Sequence, residues 1–502
     1  MRRTVAVTVI LAWAATMGWL AVRTIRAPAR AAEREDALAV TPGAAYYTLH
    51  MDTTLVGFAS VTLDTSVTAV RLSEVLDLRL PDGDTLLRVM LRGETELSRG
   101  LRLRSFAYQR TVGGRRTAVR GTTMGDSLLV WQVGQEKGVS TPDTVRLPSA
   151  GLQTPGTLPI TLIFAGRLRA GAERAYPVAD PLDRQVRLGS MVILRDSTFV
   201  VPDSSAKDTV TDRVVAARWD TVQAWLVERR GLGAPTTMWI DTDGLPVAGE
   251  LFPGITLERQ PFEVAAYEYR DRIAAKFPDM PRPSGHVRLT RAPVPVARLA
   301  VPLAGARTDS AGWARAGLTG GRQRLALDTL HTGDDAVAPD TTAQALADGL
   351  VPGADTAVAG LARRLLKDER DPSRVVRRLA QWTASELAGD IEAELPDVRH
   401  ALTERAADPS ARAAVFAALA RAAGVPARPV AGLVADGVQW RRHAWAEVRV
   451  DGRWTPVDPA LGTWPAHGGY VRLLTDAPAD PVLLIPLAHR LAPGAPLRQG
   501  RP

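Results

Sequence analysis

His443-Ala444-Trp445-Ala446-Glu447-Val448-Arg449-Val450-Asp451-Gly452-Arg453-Trp454-Thr455-Pro456-Val457-Asp458-Pro459 is the stretch on which the reading of this chain turns. Its two extended runs flank Asp451-Gly452, and aspartate followed by glycine supplies the positive φ that a two-residue hairpin loop demands. Val450 then pairs with Arg453, so that His443 lies opposite Ala460, with Asp458 two residues away on the same face. Diagonal neighbours of this kind are about 7 to 8 Å apart between backbones, within reach of an Asp-to-imidazole hydrogen bond. The spacing therefore predicts a general base and the carboxylate that orients it.

Immediately upstream, Arg428 to Val434 reads as a further strand, and before it Asp408-Pro409 offers an N-cap with proline at the first helical position. That helix runs through Ala413, Phe416, Ala417 and Ala420 to Gly424, and its small residues allow close packing on a sheet. Asp371-Pro372 opens another helix, with Val375, Leu379 and Trp382 as its core stripe, and Val358, Leu361, Leu365 and Leu366 share a face of one more. A base and its orienter call for a nucleophile. The N-terminus of a helix packed on the sheet is where a thiolate is stabilised by the helix dipole, and the helix at Asp408 holds that place.

Three segments in order, Ala420-Arg421-Ala422-Ala423-Gly424-Val425-Pro426-Ala427-Arg428, His443-Ala444-Trp445-Ala446-Glu447-Val448 and Trp454-Thr455-Pro456-Val457-Asp458-Pro459, resemble bacterial transglutaminase-like proteins. The resemblance implies a papain-like fold and a Cys-His-Asp triad whose histidine and aspartate are His443 and Asp458. It also implies a Gly-Asp-Cys-x-Glu-His motif at the helix start, on which Ala407-Asp408-Pro409-Ser410-Ala411-Arg412 falls. There Asp408 matches and Pro409 stands at the cysteine position. More loosely, Val56-Gly57-Phe58-Ala59, Asp180-Pro181-Leu182 and Trp239-Ile240-Asp241-Thr242-Asp243-Gly244 resemble the β-rich region that accompanies this domain in some bacterial members.

The chain has 502 residues and no cysteine, which excludes disulfides, thiolate metal sites and thiol nucleophiles. Its seven histidines are scattered, so neither a metal nor another cofactor is expected. The formal charge of +8 is spread without a basic stripe, and nucleic acid is not an expected partner. His400 and His467 read as surface residues and become candidate bases only in a different hairpin register.

At the N-terminus, Thr4 to Val22 is an uncharged apolar run flanked by arginines, about 28 Å long as a helix and thus able to cross a bilayer once. Ala29-Arg30-Ala31 offers a cleaved signal peptide as the alternative. Counting arginines on either side favours a cytoplasmic body, whereas a short basic start commonly exports the rest of the chain. The expectation is a single-pass membrane protein with a periplasmic or otherwise extracytoplasmic body.

Between these ends, Tyr46 to about Arg270 shows short alternating runs with Asp-Gly, Gly-Gly and Pro turns, among them Tyr46 to Leu63, Leu128 to Val133 and the hairpin around Asp243-Gly244. That pattern implies a curved antiparallel sheet or open barrel. Prolines crowd Phe277 to Pro295, Arg298 to Leu330 reads as two or three strands, and Asp334 to Asp355 as a loop. Pro481 to Leu487 reads as a last strand before a Pro/Gly/Arg tail.

The expected class is α+β: an N-terminal transmembrane helix, a β-rich N-terminal domain and a C-terminal papain-like, transglutaminase-like domain. The divisions are 1–30 for the membrane anchor or signal segment, 43–270 for the β-rich antiparallel domain and 271–355 for the Pro-rich connector with short strands. The transglutaminase-like domain takes 356–475 and the tail 476–502. The functional expectation is a membrane-anchored pseudoenzyme that binds a protein or peptide ligand in its cleft. Its alternatives are an amide or ester hydrolase or acyltransferase using Ser410 with His443 and Asp458, and an envelope-binding protein acting through its β-rich domain.

Overall fold

The computed structural model describes residues 40–275 and 356–489, apart from 83–84, 126, 136–137, 140–141, 148–150, 165–167, 182–184, 233–234, 388–397, 437–438, 467–469 and 476–479. Thr4 to Val22, Phe277 to Pro295, Arg298 to Leu330, Asp334 to Asp355, His467 and the tail beyond residue 489 lie outside the described residues.

The first described part is built almost entirely from strands. They are β1 (Gly43–Met51), β2 (Thr54–Thr65), β3 (Ala69–Asp82), β4 (Thr85–Ser98), β5 (Leu103–Val112), β6 (Arg115–Met124), β7 (Leu128–Gln135), β8 (Gly138–Val139) and β9 (Asp143–Arg146). After helix α1 (Leu158–Phe164) come β10 (Glu173–Asp180), β11 (Gln185–Lys207), β12 (Val214–Arg230), β13 (Thr236–Asp241), β14 (Pro246–Phe252) and β15 (Ile255–Gln260), followed by helix α2 (Phe262–Ala274). All the strands belong to one 15-stranded sheet, ordered β10-β11-β12-β13-β14-β15-β1-β2-β3-β4-β5-β6-β7-β8, with β9 on β7.

Neighbouring strands are mostly consecutive and joined by hairpins. Besides β9 on β7, the exception is β1 with β15, where Tyr46 to Met51 pair with Gln260 to Ile255 across some two hundred residues. The β10 edge is held by Gln153, which follows β9 in the chain: its N–H donates to Pro177 O at 2.9 Å, and Ala179 N–H donates to Gln153 O at 2.8 Å. The Gln153 side chain is also fully engaged. Its amide nitrogen donates to Leu101 O, and its amide oxygen accepts from the Thr157 and Thr161 hydroxyls, each at 2.9 Å.

Helix α1 starts from this network and buries Leu158, Ile160, Leu162 and Ile163 against the sheet. The turn Asp243-Gly244 abuts it, and a Cβ on Gly244, whose φ is +77°, would stand 2.7 Å from Ile160 Cα. Only glycine fits both the backbone and the gap.

The second described part holds α3 (Thr356–Leu366), α4 (Pro372–Glu386), α5 (Val398–Glu404), α6 (Pro409–Ala422), β16 (Ala427–Asp436), β17 (Gln439–Val450), β18 (Arg453–Val457), β19 (Tyr470–Thr475) and α7 (Pro481–His489). Its four strands run β18-β17-β16-β19. The helices bury Val358, Val375, Leu379 and Phe416 in one core with Ala446, Val448, Val450 and Val457 of the sheet.

The structure corrects the expected α+β class. The described residues are mostly β, 55% of them in strands, because the hairpin ladder is long and the helices are short. No helix among the described residues is long and apolar enough to cross a membrane, and the expected transmembrane helix, Thr4 to Val22, lies outside them. Pro481 to Leu487 is likewise not a strand but most of α7. A short apolar run carries no period by which strand and helix could be told apart.

Candidate active site

Helix α6 begins as its sequence dictates. The Asp408 carboxylate accepts from Ala411 N–H at 2.7 Å, proline occupies the first turn, and Gly424 ends the helix with φ +81°. Every residue from Ala413 to Ala420 is buried, so α6 is the central helix on which β16 and β17 pack.

The hairpin of β17 and β18 has the register set by Asp451-Gly452. Val450 pairs with Arg453, and the ladder runs to Ala446 opposite Val457. That register brings the His443 imidazole to Asp458, with Nε2 and Oδ2 2.8 Å apart. A carboxylate only accepts, so Nε2 carries the proton of this bond and base chemistry would fall to Nδ1.

Asp458 is fully buried, while the His443 side chain keeps 13% exposure. Two backbone N–H groups, from Ala460 at 2.9 Å and Leu461 at 3.2 Å, donate to Oδ1. Asp458 and Thr463 exchange a further pair of backbone bonds, both 3.0 Å. The carboxylate thus fixes the loop it sits on as well as the imidazole it faces.

Arg412, one turn into α6, ties that loop to the helix start. Its Nε donates to Ala407 O at 2.9 Å and its Nη1 to Ala460 O at 3.3 Å. Pro409 is exposed and Ser410 half-buried. The Ser410 hydroxyl makes no hydrogen bond among the described residues, so the structure brings His443 and Asp458 together but leaves Ser410 unjoined to them. His400 lies on α5.

A charged cluster on the same sheet escaped the sequence reading. Buried Glu447 accepts from Arg428 Nε and Nη2 at 2.9 and 2.7 Å, and from Arg472 Nη1 at 3.2 and 2.9 Å through its two oxygens. The Arg428 guanidinium also lies over the Trp454 ring, 4.1 Å from its centre. Half of this was available in the sequence, since Arg428 and Glu447 are direct cross-strand partners. Arg472 enters only through β19, whose place beside β16 no local pattern signals. Among the described residues no group of His, Cys, Asp and Glu could hold a metal ion.

A similarity to a known family falls on this part of the chain. Residues 359–459 match the transglutaminase-like superfamily. A solved structure of a cysteine protease-like protein from Cytophaga hutchinsonii is 22% identical, with a TM-score of 0.22; the match covers 25% of this chain and 43% of that one, so the chain spans less than half of that relative. A β-barrel-like protein of a domain of unknown function from Brucella abortus is 13% identical, with a TM-score of 0.32, over 44% of this chain and 97% of that one. No curated protein matches the sequence. The unit that carries His443 and Asp458, residues 359–459, is a transglutaminase-like domain.

Proposed function

We propose that this domain binds without turnover: a pseudoenzyme whose cleft, beside His443 and Asp458, takes a protein or peptide ligand. The observation that carries the reading is an intact 2.8 Å His443–Asp458 hydrogen bond in a chain that contains no cysteine. Papain-like acyl transfer proceeds through a covalent step, and without a nucleophile a base and its orienter have nothing to activate. Pro409, which stands where the resemblance puts the cysteine, has no nucleophilic atom. Ser410 is one residue along, a turn of about 100° around the helix axis, and has no hydrogen bond to the imidazole.

The test is to assay the purified chain against fluorogenic peptide amides and nitrophenyl esters, beside Ser410→Ala and His443→Ala. The expected result is no hydrolysis above buffer for any of the three. Activity that both substitutions abolish would establish the serine hydrolase or acyltransferase instead. A peptide array then locates the ligand, with binding expected to weaken in His443→Ala, whose side chain is the partly exposed member of the pair.

A further inference from the structure

Helix α7 has an unusual seat. It lies between the two sheets, against β3 of the large one and β16 of the small one. Val482 and Ile485 are buried in a core cluster of the large sheet that includes Leu76, Leu78 and Leu80 of β3, and Leu484 is fully buried as well. Pro486 is buried too, while Pro481 and Leu483 are half-buried, so the seat takes up one broad apolar face of the helix.

Its first turn is read by charge. Asp480 caps the helix: its Oδ1 accepts from Val482 N–H at 2.8 Å, and its carbonyl accepts from Leu483 and Leu484 N–H at 3.1 and 2.9 Å. The same Oδ1 accepts from Arg110 Nη2 on β5. The Arg110 side chain is only 7% exposed, and Asp480 is its carboxylate partner among the described residues. A buried guanidinium tolerates an empty seat badly, so the surface around Arg110 selects an occupant that brings a carboxylate at a helix start.

We propose that this seat on the large sheet is a receptor site for an acid-capped apolar helix, that is, a carboxylate at the cap with apolar side chains two and five residues on. The chain's own C-terminal helix is its ligand and can be supplied in trans. The inference is independent of what the His443 cleft does. It rests on apolar burial for affinity and on the Arg110–Asp480 pair for selection.

In the full chain, Val482→Asp with Ile485→Asp removes the apolar anchors of α7 and vacates the seat. A labelled peptide of residues 478–490 is then expected to bind saturably in fluorescence anisotropy, while the unsubstituted chain, whose seat is filled, leaves it free. The same peptide with Asp480→Asn is expected to bind at least about tenfold more weakly, the loss of one charge-assisted bond. Absence of saturable binding to a folded double variant, or equal binding of both peptides, overturns the proposal.

If the double variant does not fold, a double-mutant cycle in the full chain decides. Arg110→Met and Asp480→Asn, which keeps an oxygen for the helix cap, should each lower the melting temperature, and together they should lower it by clearly less than the sum of the two. Additive losses overturn the selective role of the pair.

Discussion

The two sheets of this chain each bury carboxylates, and they use them differently. In the large sheet, Asp241 accepts from the N–H groups of Asp243 and Leu245 and pairs with Arg259 at 2.8 Å. Nearby Glu74 accepts from the Tyr108 phenol at 2.6 Å, and Tyr108 is itself buried. These partners are locked in the interior. In the small sheet, Asp458 is equally fixed by backbone N–H groups, but its side-chain partner is an imidazole that reaches solvent. A buried carboxylate is an anchor in both places. It becomes part of a potential reaction centre only where its partner is an accessible base, and the anchoring role explains how the His443–Asp458 pair can persist in a domain without a cysteine.

The sharpest way to break this comparison is to remove one partner from each carboxylate. Arg259→Met leaves Asp241 charged and buried without its cation, at an expected cost of about 3 to 5 kcal/mol in urea unfolding. Asp458→Asn keeps the shape, retains an oxygen for the Ala460 and Leu461 N–H groups, and loses only the charge-assisted bond to His443. Its expected cost is smaller, about 1.5 to 3 kcal/mol. Equal costs would mean that the imidazole is as much a structural counter-ion as Arg259, and the distinction between the two sheets would fail.

The legibility of the sequence divides along the same line. Asp408-Pro409, Asp371-Pro372 and Asp451-Gly452 are local instructions, each read by a backbone N–H or a φ value within a few residues, and they suffice to place Asp458 against His443. The large sheet is assembled by contacts between distant segments, such as β1 with β15 and Gln153 with β10, for which no local residue is responsible. That is why local patterns alone read the class as α+β. Helix α2 was missed because its Phe262 to Arg270 stretch was absorbed into the preceding strand pattern, and α7 because an apolar run has no period. Arg412 and Arg472 escaped because their roles depend on loops and strands brought together only by the fold.

A gentler probe of the large sheet uses pH. Burial pushes the Glu74 carboxyl above its ordinary range, with the Tyr108 hydrogen bond pulling the other way. The folded chain therefore holds this proton to higher pH than the unfolded one does. The associated stability is fully present below the ordinary carboxylate range and is lost as pH rises through the raised value. Glu74→Gln cannot lose a proton and keeps an oxygen for Tyr108. Its melting temperature relative to the unsubstituted chain should rise as pH climbs above the ordinary carboxylate range. A difference that is flat with pH would place Glu74 among ordinary solvated carboxylates and remove one of the two anchors on which the comparison stands.

The smallest expected effect sharpens the other side. Ser410 sits in the first turn of α6, yet the cap is made by Asp408, and the serine hydroxyl has no hydrogen bond among the described residues. Ser410→Ala therefore removes no interaction and exchanges a middling helix former for the best one, so stability should stay level or rise by up to about 0.5 kcal/mol. Asp408→Ala, two residues earlier, should cost about 0.5 to 2 kcal/mol because the Ala411 N–H loses its acceptor. Urea unfolding of the two variants side by side separates a residue that holds the helix start from one that merely occupies it. A loss above about 1 kcal/mol in Ser410→Ala would show that the hydroxyl has a partner in solution, and a serine held by a partner beside an oriented imidazole is the geometry that hydrolysis requires.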